Sequence, residues 1–510
     1  MAKISPHGIT KARGCEHARL GNFCHLFHPQ LPSWADECGI TEQCDAEAIM
    51  ALVGSAGGLM HDSGNESGDS GIPAAYTFFA QFIDHDITLD TTTKLHGDPE
   101  PNVGELPNLR SVSLDLDCVY GFGMEASPFL YDQDQKGRML IGNDENPDGD
   151  LPRNSEGRAL IGDPRNDENL FVSQMQLMFI RLHNKRLVGR SFEKAVEDTR
   201  YHYQWLVLYD FLRRVCDPKI YQFALERIEK CDPQFPCFNV LDDCDRLCMP
   251  VEFSVAAYRF GHTLVRSIYP VNADYPAVEL FDEKFGTLGF SSVPEKLEVD
   301  WSFLLDVDAG QNYVNSKSID QLLADEIIRL PDPVVGATAS ANDRSLAFRN
   351  LLRGYVMGLP SGQAAAQALH DGCYGDLIGP DYDLKFDEVP GWSCLPDETR
   401  EKLEEHTPLF LYLMLEGRSK QGEHLGRVGS AILMEVFGAI LTKCKSSFLK
   451  CGEDEKESWC PDPAIWNPER KTDIDPKNSF LDDPAYDPCS QTQQHPKGFT
   501  LADIVRYVNR

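Results

Sequence analysis

The amino-acid sequence predicts a mainly α-helical protein, one large domain with long loops and little β structure. Three observations carry that expectation. Side chains recur on one face at the 3.6-residue period, with Phe78, Phe79, Phe82 and Ile83 in one segment and Leu170, Gln174, Leu177, Met178 and Leu182 in another. No alternation of strand and helix patterns marks a parallel sheet, and the chain has no repeat or low-complexity tract. Hydrophobic residues are 42% and aromatic residues 10% of the 510 positions, enough for a buried core and too many for wholesale disorder.

Residues 1 to about 70 are weakly periodic and contain cysteines, so they read as an irregular extension wrapped on a main domain spanning 71–510. The extension ends in the loop HDSGNESGDSGIP, and a helix follows from Ala74 to about Ile87. Pro, Gly, Asp and Asn crowd residues 90–160, which makes that stretch mostly loop. A long helix runs from about Asp167 to Val188, and further helices are expected at 195–230, 251–266, 318–329, 344–357, 398–417 and 424–450. The tail after Cys451 is rich in Pro and Asp and ends in a helix near Leu501 to Val508.

Lys and Arg number 48 against 80 Asp and Glu, a net charge of −32. That excess disfavours nucleic acid and anionic membrane surfaces as partners, because phosphate-binding faces need clustered cations. The longest apolar run, Ser430 to Leu441, is too short to span a bilayer and contains Glu435. The N-terminus has no apolar core of a secretory signal, so the expectation is a cytoplasmic protein or one exported without a leader. Sixteen cysteines pull the other way, towards an oxidising compartment. One group, Cys231, Cys237, Cys244 and Cys248, has no C-x₂-C pair and favours disulfides or free thiols over zinc.

Three short segments carry chemistry. In QFIDHD, helical spacing puts Gln81, Asp84 and His85 on one face, while Asp86 is turned about 100° further round. A solvated polar face would look the same. Alternatively, a neutral His85 could take a proton from one oxygen of a bound peroxide and deliver it to the other, with Gln81 holding a water or halide beside it. In GDPRNDEN, Asp163 is a fitting N-cap, Pro164 a good first helical residue, and Arg165 and Glu168 lie one turn apart. That pattern suits an ordinary capped helix or an arginine that stabilises charge on a departing oxygen. In YRFGHTL, His262 is either a hydrogen-bonded core histidine or an axial ligand, with Gly261 leaving room for a flat group. Ser111, Ser113, Asp115 and Asp117 form a fourth pattern, oxygen donors at every second residue that an extended loop could aim at one cation.

Together these segments resemble the animal-type haem peroxidases of the peroxidase–cyclooxygenase superfamily, over roughly residues 60 to 510 and with the motifs in family order. The resemblance implies a haem b cofactor, with His85 as the distal acid–base group, Gln81 beside it and Arg165 as the distal arginine. It makes His262 the iron ligand in an R-x-G-H-T setting that includes Arg259, Asn350 the acceptor of the proximal imidazole N–H, and Arg353 a partner of a haem propionate. Asp84 and Glu168 stand where the family forms ester bonds to haem methyl groups. Asn169 replaces the methionine that gives myeloperoxidase its sulfonium link, so that link and efficient chloride oxidation are not expected. The Ser111–Asp117 loop is implied to bind Ca²⁺ together with Asp86, with Asp117 adding a carboxylate that should strengthen the site. The run RGYVMGLPSGQ after Asn350 is similar to bacterial-type members.

The implied activity is reduction of H₂O₂ at a ferric haem coupled to oxidation of iodide, bromide, thiocyanate or aromatic donors. A fatty-acid dioxygenase of the cyclooxygenase-like branch is the rival. That branch uses a tyrosine three residues before the proximal histidine, where this chain has Arg259, with Tyr258 expected on another helical face.

Overall fold

The computed structural model describes residues 21–27, 30–64, 66–91, 94–96, 102–238, 240, 246–282, 287–307, 312–379, 384–451, 459–465 and 498–509. Among these the fold is mainly helical, as expected, and the strands are two to five residues long.

Helices of eight or more residues are numbered along the chain. The first, α1 (Gln43–Gly54), lies in the stretch expected to be irregular. It packs against α6 (Leu346–Val356), and the contact is close because Gly54 has no side chain. A Cβ there would come within 2.7–2.9 Å of the Ala347 and Phe348 backbone. Helix α2 (Ala75–Ile87) is buried nearly all round, as its apolar pattern requires. Its main partner is α3 (Leu170–Leu187), where Phe82 stacks on Phe179 at 4.7 Å between ring centroids. Helix α3 in turn packs on α4 (Phe192–Trp205).

Two predicted helices are divided, for one physical reason. The 195–230 segment leaves α4 through a π-helical stretch, Leu206–Phe211, and breaks at Cys216 before α5 (Pro218–Glu229). Pro218 cannot donate the N–H that a continuous helix needs, and Asp217 caps the new start by accepting from Lys219 N at 2.9 Å. The 398–417 segment is likewise cut at Thr407–Pro408, between α8 (Asp397–Glu405) and α9 (Leu409–Arg418). A helix not foreseen, α7 (Gly362–Leu369), follows the Ser361 cap. The expected helices at the end of the chain are present as α10 (Arg427–Lys443) and α11 (Leu501–Asn509).

The 318–329 expectation fails: Leu323–Ala324 pair as a parallel strand with His61–Asp62, leaving one helical turn at Asp325–Ile328. Gly21–Cys24 sit between Pro107–Asn108 and Met249–Pro250 in a three-stranded sheet. Among the described residues three disulfides join distant segments: Cys24–Cys248, Cys231–Cys451 and Cys237–Cys373. Cys15 and Cys244 lie outside the described residues. Among the described residues no helix is long and apolar enough to cross a membrane.

Candidate functional site

A cavity of about 360 Å³ opens between α2 and the segment that ends at His262. One wall carries Gln81, Asp84, His85, Arg165, Glu168 and Asn169, and the facing wall carries Tyr258, Arg259, Gly261 and His262. Leu280, Phe281, Phe290, Leu330 and Val334 make the rest of the lining apolar. The α-helical spacing therefore holds on α2: Gln81, Asp84 and His85 share the cavity face, and Asp86 points elsewhere.

His85 is buried, and its Nδ1 lies 2.7 Å from Asn166 Oδ1. Its Nε2 faces Glu168 Oε1 at 3.7 Å. Burial, reinforced by the charge of Arg165, pushes its pKa down to about 4, so the ring is neutral near pH 7. Burial drives Glu168 the other way, up to about 7. Gln81 donates to Glu168 through Nε2 and accepts from Asn169 Nδ2 at 3.1 Å. Asn169, the residue in place of methionine, also caps α3 by accepting from Val172 N at 2.9 Å. The long helix consequently begins at Leu170, after a 3₁₀ turn at Pro164–Asp167.

Arg165 does not pair with Glu168. Its Nε and Nη2 bond Asp163 at 3.1 and 2.8 Å, and Nη2 also reaches the carbonyl oxygens of His85 at 3.2 Å and Thr88 at 2.7 Å. Nη1 has no hydrogen-bond partner among the described residues, and Arg165 lines the cavity. Asp84 accepts from Thr88 Oγ1 at 2.9 Å and lies 4.0 Å from Arg259. Burial raises its pKa, but Arg259, His85 and Arg165 outweigh that and hold the carboxyl below its ordinary value.

On the facing wall the backbone is irregular: a π-helical turn, Glu252–Ala256, runs straight into a 3₁₀ turn, Ala257–His262. This corrects both the expected 251–266 helix and the placing of Tyr258 away from the site, since Tyr258 and Arg259 both line the cavity. A Cβ on Gly261 would touch only Ala80 Cβ, at 3.9 Å, so the space before His262 is open. The Asn350 amide nitrogen sits 2.9 Å from His262 Nδ1. A half-turn of that amide presents Oδ1 to the same atom, the orientation required if Nδ1 carries the proton and Nε2 is the ligand. Arg353 is not in the cavity lining; it pairs with Asp90, close to Arg259 and Arg349.

Behind α2, the carboxylates of Asp86, Asp115 and Asp117 are buried with oxygens within 4.8 Å of one another. Burial and the charges of Asp117 and Asp115 push the Asp86 pKa well up. Ser111 Oγ donates to Asp115 at 2.9 Å, and the buried Ser113 Oγ has no hydrogen-bond partner among the described residues. Asp117 also pairs with Arg110 at 3.0 Å, which partly offsets the charge it was expected to add.

Sequence reasoning missed Asn166, Tyr258 as a lining residue, and the apolar wall from 280 to 334. No spacing rule links Asn166 to His85 across 81 positions.

Residues 95–285 match the family model described as animal haem peroxidase. That match covers 191 of the 510 residues, so the likeness to the family is established over this segment. Among solved structures, the chain is similar to peroxidase A from Dictyostelium discoideum at 14% identity, covering 79% of this chain and 83% of that one, TM-score 0.50. It is also similar to the fatty acid alpha-dioxygenase of Oryza sativa at 15% identity, covering 83% of this chain and 76% of that one, TM-score 0.52. A tyrosine-to-phenylalanine variant of the same enzyme, with palmitic acid, gives 15% identity, 87% and 78% coverage and TM-score 0.54. At these identities the likeness concerns the fold. No curated protein matches the chain by sequence.

Proposed function

We propose that this chain is a haem-dependent peroxidase that reduces H₂O₂ and oxidises iodide, bromide, thiocyanate or an aromatic donor. The observation that carries the reading is one cavity with a neutral His85 on one wall and His262 on the other. The residues fit a haem: the space before Gly261 is open, and Asn350 holds His262 Nδ1, which leaves Nε2 for iron. Bound there, haem supplies the redox chemistry.

The chain's own residues supply the rest. His85 Nε2 takes the proton of the peroxide oxygen that will bind and returns it to the oxygen that leaves. Arg165 Nη1 stabilises the charge on the leaving oxygen, while Asp163 and the two carbonyls hold the guanidinium in place. Gln81, fixed between Glu168 and Asn169, holds a water or halide beside His85. Arg259, on the cavity wall, offers positive charge to a haem carboxylate, whereas Arg353 would have to exchange its Asp90 partner for one. Asp84 and Glu168 line the cavity and are placed as candidates for ester links, which mass spectrometry of haem-bearing peptides tests. Asp86, Asp115, Asp117, Ser111 and Ser113 form a Ca²⁺ site in this reading. Its support is three buried carboxylates with an unpartnered hydroxyl beside them.

The test is the Soret band of haem-loaded protein after stoichiometric H₂O₂. A rapid change reversed by bromide or iodide indicates halide oxidation; reversal by phenols alone indicates one-electron chemistry. No change sinks the peroxidase reading. One observation favours a second reading: Tyr258 lines the cavity, so fatty-acid oxygenation has a candidate tyrosine. Its hydroxyl donates to Ala80 O at 3.3 Å. Oxygen uptake with palmitate, abolished in Tyr258→Phe, would establish that reading instead.

A further inference from the structure

A chain of amides runs from His85 into the protein. Asn166 Oδ1 lies 2.7 Å from His85 Nδ1, Asn166 Nδ2 donates to Gln176 Oε1 at 2.9 Å, and Gln176 Nε2 donates to the backbone oxygen of Cys118 at 3.1 Å. Asn166 and Gln176 are both fully buried, so water is not available to replace any link.

The far end of this chain decides its direction. A backbone carbonyl can only accept a hydrogen bond. Gln176 must therefore turn its NH₂ towards Cys118 and its oxygen towards Asn166. Asn166 must answer with its own NH₂, which turns Oδ1 to the imidazole. An oxygen at 2.7 Å from Nδ1 requires the proton on Nδ1, so the lone pair is on Nε2 and faces the cavity. Reversing any amide would set two donors or two acceptors against each other in a buried site, at a cost of about 1–3 kcal/mol per unsatisfied group.

We propose that Asn166 and Gln176 are positioning residues that fix the Nδ1–H tautomer of His85, with the Cys118 carbonyl as the anchor that polarises the chain. The inference rests on the reading of His85 as the acid–base group and assigns it a device that keeps the base competent. A ring with the proton on Nε2 presents no lone pair to peroxide. The arrangement joins three elements: the segment Pro164–Asp167 carries Asn166, α3 carries Gln176, and the turn Asp117–Tyr120 carries Cys118. None of the three residues lines the cavity.

The test reads the tautomer directly. The full chain, labelled with ¹⁵N-histidine and loaded with diamagnetic zinc protoporphyrin, is examined by long-range ¹H–¹⁵N spectra, with His85 assigned by comparison with His85→Ala. Wild type is expected to show only the Nδ1–H form. Asn166→Leu and Gln176→Met, both near-isosteric and apolar, should give a mixture, whereas Asn166→Asp keeps an acceptor at Nδ1 and should retain the Nδ1–H form. In the haem-loaded enzyme, Asn166→Leu should lower kcat/KM for peroxide about 10- to 100-fold, the range for losing a partner that orients a functional histidine. An Nε2–H signal in wild type, or an unchanged tautomer in both apolar variants, overturns the proposal. If His85→Ala itself leaves turnover intact, the acid–base reading fails first, and the tautomer spectra still decide whether the amide chain orients the ring. Variants that lose the wild-type circular dichroism are replaced by Asn166→Ser and Gln176→Leu, read by the same spectra.

Discussion

The two walls of the cavity are built in opposite ways. The His85 wall stands on a regular α-helix, and its polar side chains are held by named partners: Asn166 on His85, Asp163 on Arg165, Glu168 and Asn169 on Gln81. The His262 wall stands on a π turn joined to a 3₁₀ turn, with Ala256 at φ −123°, ψ −70° between them and, among the described residues, one side-chain hydrogen-bond partner on the histidine, Asn350. The first wall is positioned by a polar network, the second by buried backbone. Helical-wheel arithmetic is reliable at 100° per residue and fails where the backbone leaves that geometry. That is why spacing puts Gln81, Asp84 and His85 on the face they occupy and misplaces Tyr258.

The sharpest break in the comparison is His262→Ala. It should abolish peroxide-dependent turnover and the His-ligated haem spectrum together, because no second imidazole stands on that wall among the cavity residues. His85→Ala should spare the spectrum and cut turnover by about 10²- to 10⁴-fold, the usual range for a general acid–base group. Equal loss of the spectrum in both variants would erase the distinction between the walls.

A smaller effect tests what lies behind the first wall. If Ca²⁺ binds Asp86, Asp115 and Asp117, chelation should lower the unfolding free energy by about 2–3 kcal/mol relative to a cation level 100-fold above its Kd. Asp86→Ala should remove that sensitivity. Calorimetry with and without chelator measures both, and a melting temperature indifferent to chelator rejects the cation.

The mildest probe is acid. His183 on α3 and His202 on α4 are buried, and burial pushes each pKa down to about 4. Their folded pKa lies below the unfolded value, so the unfolded chain binds protons first as pH falls. The stabilising contribution is full above about pH 6.5 and declines by roughly 1.4 kcal/mol per pH unit per histidine as pH falls towards 4. Burial pushes the His262 pKa down as well, to about 3, so hydrogen exchange should accelerate on both walls over the same pH range. Protection lost on one wall alone would sink that expectation.

The sequence by itself determined much of this protein. Apolar periodicity defined α2, α3 and α6, and the short motifs singled out His85, Arg165 and His262. Those features are local: a helix and a capped turn are decided within a few residues. Tertiary structure alone decided what depends on residues far apart in the chain. The Asn166 bond to His85 spans 81 positions, the Asn350 bond to His262 spans 88, and the disulfide partners stand 136 to 224 positions apart. Packing also brought Arg165 to the carbonyl oxygens of His85 and Thr88, 80 and 77 positions away. It also overrode local preference at 318–329, where a strand partner at His61–Asp62 was available. Spacing in one dimension can say which side chains share a face, but not which distant group will satisfy a buried hydrogen bond.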